Sequence, residues 1–90
     1  KEEQTDKLMR EGARIVNQPA TCRGAGDRLM VELPQTSLPI VALENLAAQR
    51  ILQAILDDID SEQWIVNGSI TEFQGRNYIL LDRVTRQSKR

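Results

Sequence analysis

The pattern of apolar residues changes period twice along this chain, and that change limits its fold more than any other feature. Leu29, Val31 and Leu33 alternate with Met30 and Glu32, the two-residue period of a half-buried strand. Between Asn45 and Ser61 the period becomes helical: Leu46, Ala47, Ile51, Ala54, Ile55 and Ile59 fall on one stripe. Alternation then returns, with Trp64, Val66, Gly68 and Ile70 on one face and Ile65, Asn67, Ser69 and Thr71 on the other. A single helix therefore interrupts a run of strands.

The flanking segments complete the order. Arg14 to Cys22 reads as a first strand, with Pro19 marking an edge, bulge or bend because it cannot donate to a ladder. Gly24-Ala25-Gly26-Asp27 is a turn, as is Pro34 to Ser37. Leu38 to Leu43 reads as a short third strand. Asn45 is the predicted helix N-cap, since its side chain can accept from an early backbone amide. The helix is expected to end between Asp58 and Ser61. Phe73-Gln74-Gly75-Arg76-Asn77 is a hairpin connection, and Tyr78 to Val84 forms the last strand. The nearly continuous apolar run of that strand predicts burial on both faces along part of its length. Residues 1–10 read as a charged linker or frayed helix, 11–85 as one domain, and 86–90 as a polar basic tail.

Three strands, a helix and two strands make a mainly β fold. The expected architecture is a five-stranded Greek-key barrel of OB type, with the helix between strands 3 and 4 closing one end. A plain α+β sandwich is the competing architecture. The segment Ile65-Val66-Asn67-Gly68-Ser69-Ile70-Thr71-Glu72-Phe73-Gln74-Gly75-Arg76-Asn77-Tyr78-Ile79-Leu80 resembles the hairpin between the fourth and fifth strands of OB-fold (oligonucleotide/oligosaccharide-binding) domains. It is also similar to such hairpins in uncharacterised bacterial members of that fold. The resemblance implies a fold and not an activity.

Composition narrows the chemistry. The 90 residues contain no His and one Cys, which excludes Ser-His and Cys-His nucleophiles and a four-ligand zinc site. Cys22 is expected to be a buried small apolar residue. Gly24-Ala25-Gly26-Asp27-Arg28-Leu29 begins like a dinucleotide loop, but a strand follows where a helix is required. Asp58-Ile59-Asp60-Ser61-Glu62 begins like a calcium loop, yet Gln63 and Ser69 stand where Gly and a bidentate Glu belong. Asn67-Gly68-Ser69 matches a glycosylation sequon inside a predicted strand. Paired carboxylates such as Asp57 and Asp60 lack an evident cleft. No enzyme activity, cofactor or metal is expected.

The net charge of -1 argues against a strongly basic nucleic-acid binder. The charge is nevertheless uneven, about -4 over residues 44–62 and +4 over 76–90. No apolar run approaches the roughly 20 residues of a membrane span. The leading expectation is a binding module for protein or another macromolecule, with oligomeric state and compartment left open. The alternative is a single-stranded nucleic-acid-binding OB domain, with Arg23, Arg28, Arg76 and Arg83 lining a groove and Phe73 and Tyr78 as stacking platforms. Against it, the predicted second and third strands carry no aromatic residue, and Trp64 and Tyr78 read more simply as core and the arginines as solvated surface. A small-molecule or oligosaccharide site is a third, unsupported option.

Overall fold

A computed structural model of the chain describes residues 9–36, 38–58 and 62–87. The elements run β1 (Arg14–Ala25), β2 (Arg28–Glu32), β3 (Ile40–Ala42), α1 (Leu46–Asp57), β4 (Gln63–Phe73) and β5 (Arg76–Arg86). The strands close into a barrel in the order β1-β2-β3-β5-β4. All neighbours are antiparallel except β3 and β5. The fold is therefore the expected mainly β, five-stranded closed barrel with one helix between β3 and β4.

Closure depends on β1, which is long enough to serve two neighbours. Its first part pairs with β4 from Arg14 to Thr21, and its end pairs with β2 from Thr21 to Ala25. The bulge or bend that the sequence places at Pro19 falls instead at Asn17, within the part paired with β4. Asn17 adopts a φ of 46°, and the register with β4 slips between Ile15 and Gln18. Asn tolerates this left-handed conformation better than most side chains. Asn67 on β4 braces the bulge, its Oδ1 accepting from the Asn17 N–H at 2.9 Å. Pro19 itself lies where β1 is paired with β4 alone, and the Cys22 N–H to Glu62 O bond (2.8 Å) phases that ladder. By this phase residue 19 faces away from β4, so its missing N–H removes no ladder bond.

Two tight hairpins set the remaining register. Gly26, at φ 66°, is the first central residue between paired Ala25 and Arg28, the Gly-first pattern of a type II′ turn. The glycine-rich stretch is thus the β1–β2 turn, as its sequence predicts. Gln74 and Gly75, at φ 53° and 76°, join paired Phe73 and Arg76 as a type I′ turn. The β4–β5 ladder then slips between Asn67 and Gly68, with Asp82 as the extra residue on β5.

The core is continuous. Cys22, Val31 and Ile40 form one inward row across β1, β2 and β3, and Ala42, Ile79 and Ile70 form another across β3, β5 and β4. Trp64, Val66, Gly68 and Ile70 face inward together, as their alternation predicts. The helix adds Ala48 and Ile51, with Ala47, Leu52, Ala54 and Ile55 packed partly against the barrel. This corrects the expected stripe at its start. Leu46 is 65% exposed and Ala48 takes the inward position; Ile59 lies outside the described residues. Asn45 caps the helix, accepting from the Ala48 N–H at 3.0 Å. Its amide also donates to the Leu81 carbonyl at 2.7 Å, which ties the helix start to β5. The helix ends at Asp57, with Asp58 as its C-cap.

The last strand departs from expectation. Ile79 and Leu81 are buried, but Leu80 between them is 46% exposed, so burial is on one face only. Among the described residues no helix is long and apolar enough to cross a membrane.

Candidate functional site: the outer face of β2, β3 and β5

The register that builds the core also builds an outward row. Arg23 pairs with Met30, Met30 with Val41, Val41 with Tyr78, and Tyr78 with Thr71. Directly opposed residues point to the same side of a sheet, and the neighbours of each along its strand point inward. Two residues further along each strand, the same outer face carries Arg28 on β2 and Leu80 on β5. Leu43, whose N–H donates to the Ile79 carbonyl at 2.9 Å, lies between them. Two residues the other way it carries Glu32 and the cross-strand pair Phe73 and Arg76.

The centre of this face is therefore Met30, Val41, Leu43, Tyr78 and Leu80. Such positions on a one-sided sheet are ordinarily polar. Leu43 and Leu80 remain 36% and 46% exposed and Phe73 is 61% exposed, while Met30, Val41 and Tyr78 are half-buried among their neighbours. Tyr78 thus stands outside the core that Trp64 occupies.

The cations lie at the margin. Arg23 is paired with Glu32, at 3.5 Å. Arg28 and Arg76 make no ion pair with another described residue and stand at opposite ends of the face. Four residues along the strand and two strands across separate them, about 16 Å. Arg83 does not join them. It lies past the Asp82 bulge, on the wall of a groove between α1 and β5. Of the residues singled out in the sequence, the structure thus gathers Arg23, Arg28, Phe73, Arg76 and Tyr78 and leaves Arg83 apart.

The hairpin bearing Phe73 and Arg76 is held from below by the segment before β1. The Met9 N–H donates to Asn77 Oδ1 at 2.6 Å, and Asn77 Nδ2 donates back to the Met9 carbonyl at 3.1 Å. The Glu11 carboxylate accepts from the Glu72 N–H at 2.6 Å and from the Thr71 hydroxyl at 3.1 Å. These bonds fix the loop without using its arginine.

The other motifs weighed in the sequence fall as follows. Cys22 is fully buried, and loss of hydration, reinforced by Glu32, pushes its thiol up to about 12. Asn67 bonds the Asn17 N–H and the Arg83 carbonyl with its amide, so the suspected sequon asparagine is a structural brace. Asp60 and Ser61 of the suspected calcium loop lie outside the described residues. No cluster of three or more His, Cys, Asp or Glu side chains placed to hold a metal occurs among the described residues.

Reading the sequence for rings and cations passed over Met30, Val41, Leu43 and Leu80. The available signal was an apolar residue at the outward beat of an alternating strand. Comparison with protein-family models, curated proteins and solved structures finds no match to this chain.

Proposed function

We propose that this chain is a non-enzymatic binding module of the OB type, and that it engages a protein partner through the outer face of β2, β3 and β5. The observation that carries this reading is the row of apolar side chains at outward positions. Burying Leu43, Leu80 and Phe73 in an interface removes apolar surface from water, worth about 25 cal/mol per Å² before the costs of association. Arginines at the margin with an apolar centre make the arrangement of a protein-binding patch, where charge at the rim steers and the centre supplies affinity.

Single-stranded nucleic acid is the second reading. It draws on Tyr78 at the middle of the face and on Phe73 beside Arg76, rings that bases can stack on. The wide spacing of Arg28 and Arg76 around an aliphatic centre favours it less.

Photo-crosslinking separates the two. A benzoyl-phenylalanine replaces Val41 in the producing cell, with the same label at exposed Gln53 as control. A discrete, protease-sensitive adduct that disappears in Leu80→Glu supports the protein reading. A nuclease-sensitive adduct transfers the face to the second reading. Labelling at Val41 no greater than at Gln53 removes both.

A further inference from the structure

Among the described residues, the second half of β5 has an edge that no strand covers. The ladder phase is fixed by the Gln87 N–H, which donates to the Gln63 carbonyl at 2.9 Å. Thr85 and Arg83 then bond β4, and the N–H and C=O of Val84 and Arg86 point the other way. β3 ends at Ala42 and pairs with β5 only at Tyr78 and Ile79. The Asn45 side chain takes the Leu81 carbonyl. Beyond it, the outward main-chain groups of Val84 and Arg86 have no hydrogen-bond partner among the described residues. An exposed edge of this kind is a template for a further strand.

That edge borders a groove of about 610 Å³ lined by Leu46, Ala47 and Arg50 of α1 and by Leu80, Arg83 and Val84 of β5. The floor is apolar, and Leu46 is 65% exposed over it. The charges are one-sided. Asp82 is held by Arg14 at 2.7 Å, and Asp58 by Arg86 at 2.9 Å. Arg50 of α1 and Arg83 of β5 both line the groove, and neither makes an ion pair with another described residue.

We propose that this groove takes a short extended segment of an acidic protein partner, added as a strand to the β5 edge at Val84 and Arg86. The main chain of the segment supplies the hydrogen bonds. One apolar side chain rests on Leu46 and Val84, and the carboxylates of the segment meet Arg50 and Arg83 separately. The site is separate from the outer face, sharing only Leu80.

The probe is an acetylated, amidated pentapeptide alternating aspartate and valine, followed by backbone amide NMR of the protein at low salt. Saturable shifts at Val84 and Arg86 are expected, with slowed hydrogen exchange of both amides. Arg50→Gln and Arg83→Gln, at exposed positions that leave the fold intact, are each expected to weaken binding about threefold. Val41→Glu is expected to leave it unchanged, so this test stands or falls apart from the outer-face reading. N-methylation of the peptide's central main-chain nitrogens is expected to abolish the protection. Equal binding of a lysine-valine peptide or of the N-methylated peptide overturns the proposal. So does a flat spectrum at millimolar peptide. Protection of Val84 that grows with protein concentration alone makes a second copy the occupant and overturns it as well.

Discussion

Gly68 allows a quantitative test of how tightly the barrel closes. A Cβ built there would lie 2.4 Å from the Leu80 carbonyl oxygen, and 3.1 Å from both the Leu80 carbonyl carbon and the Leu81 Cα. These are main-chain atoms of β5, so no rotamer relieves the clash. Carbon and oxygen approach to about 3.3 Å without strain, so the strands must part by roughly 0.9 Å. That stretches a normal ladder bond of about 2.9 Å beyond hydrogen-bond range. Loss of the two bonds between Ser69 and Leu80 costs about 2 kcal/mol, and residual overpacking about 1–3. Replacing Gly in a strand interior returns about 0.5–1. Gly68→Ala is therefore expected to lose about 2–4 kcal/mol, a large share of the stability of a 90-residue domain. Trp64 is the only tryptophan and is buried, so its fluorescence in urea reports unfolding directly. The urea midpoint is expected to fall by about 2 M. Gly24→Ala is the control, because its Cβ would meet only the Leu52 Cδ2 at an ordinary 3.5 Å. A Gly68→Ala midpoint equal to that of Gly24→Ala would show slack between β4 and β5 and refute the argument.

Three further outcomes follow from the same geometry. Gln74 holds a left-handed φ of 53° in the I′ turn, so Gln74→Asn is expected to stabilise by about 0.5–1 kcal/mol, read as a higher melting temperature. Asn45→Ala removes both the Ala48 cap and the bond to the Leu81 carbonyl, an expected loss of about 2 kcal/mol, whereas Asn45→Asp keeps the cap alone and recovers part of it. The Cys22 thiol titrates near its ordinary value of 9.0 when unfolded and near 12 when folded. Its contribution is complete below pH 9 and is lost as pH rises from about 9 to 12, by at most about 1.4 kcal/mol per pH unit. Comparing urea midpoints of the wild type and Cys22→Ala across that window isolates this loss, and iodoacetamide should label Cys22 only at the rate of unfolding.

The fold was legible because period and order are local signals. The helix cap at Asn45, the glycine turns and the inward set from Trp64 to Ile70 all follow from short stretches of chain. The errors arose where tertiary position overrules pattern. Leu80 sits in an apolar run that reads as two-sided burial, yet it points to the outer face of the barrel between inward Ile79 and Leu81 and stays exposed there. Leu46 begins the helix before the barrel reaches it, so its apolar side chain faces out and Ala48 faces in. The bend near Pro19 moved to Asn17 because Asn67, fifty residues away, supplies the bond that holds the bulge. The candidate site was half legible. Its rings and three of its arginines were identified, but the row from Arg23 through Met30 and Val41 to Tyr78 exists only through register across four strands, which no local pattern encodes. Arg83 was misgrouped because the extra residue at Asp82 carries it toward the helix.

The ring order also bears on how the chain is made. β5 is the last strand in sequence but lies between β3 and β4 in the barrel. During translation, the four earlier strands can form only an open sheet in the order β4-β1-β2-β3. Its two outer strands wait for the same missing partner, and Ile79 and Leu81 have yet to fill the interior. A ribosome that stalls before β5 therefore leaves a nascent chain with two unprotected edges and an unfilled core, the condition most prone to aggregation and most dependent on chaperones. The barrel closes only when its final strand enters between β3 and β4, the two strands it pairs with.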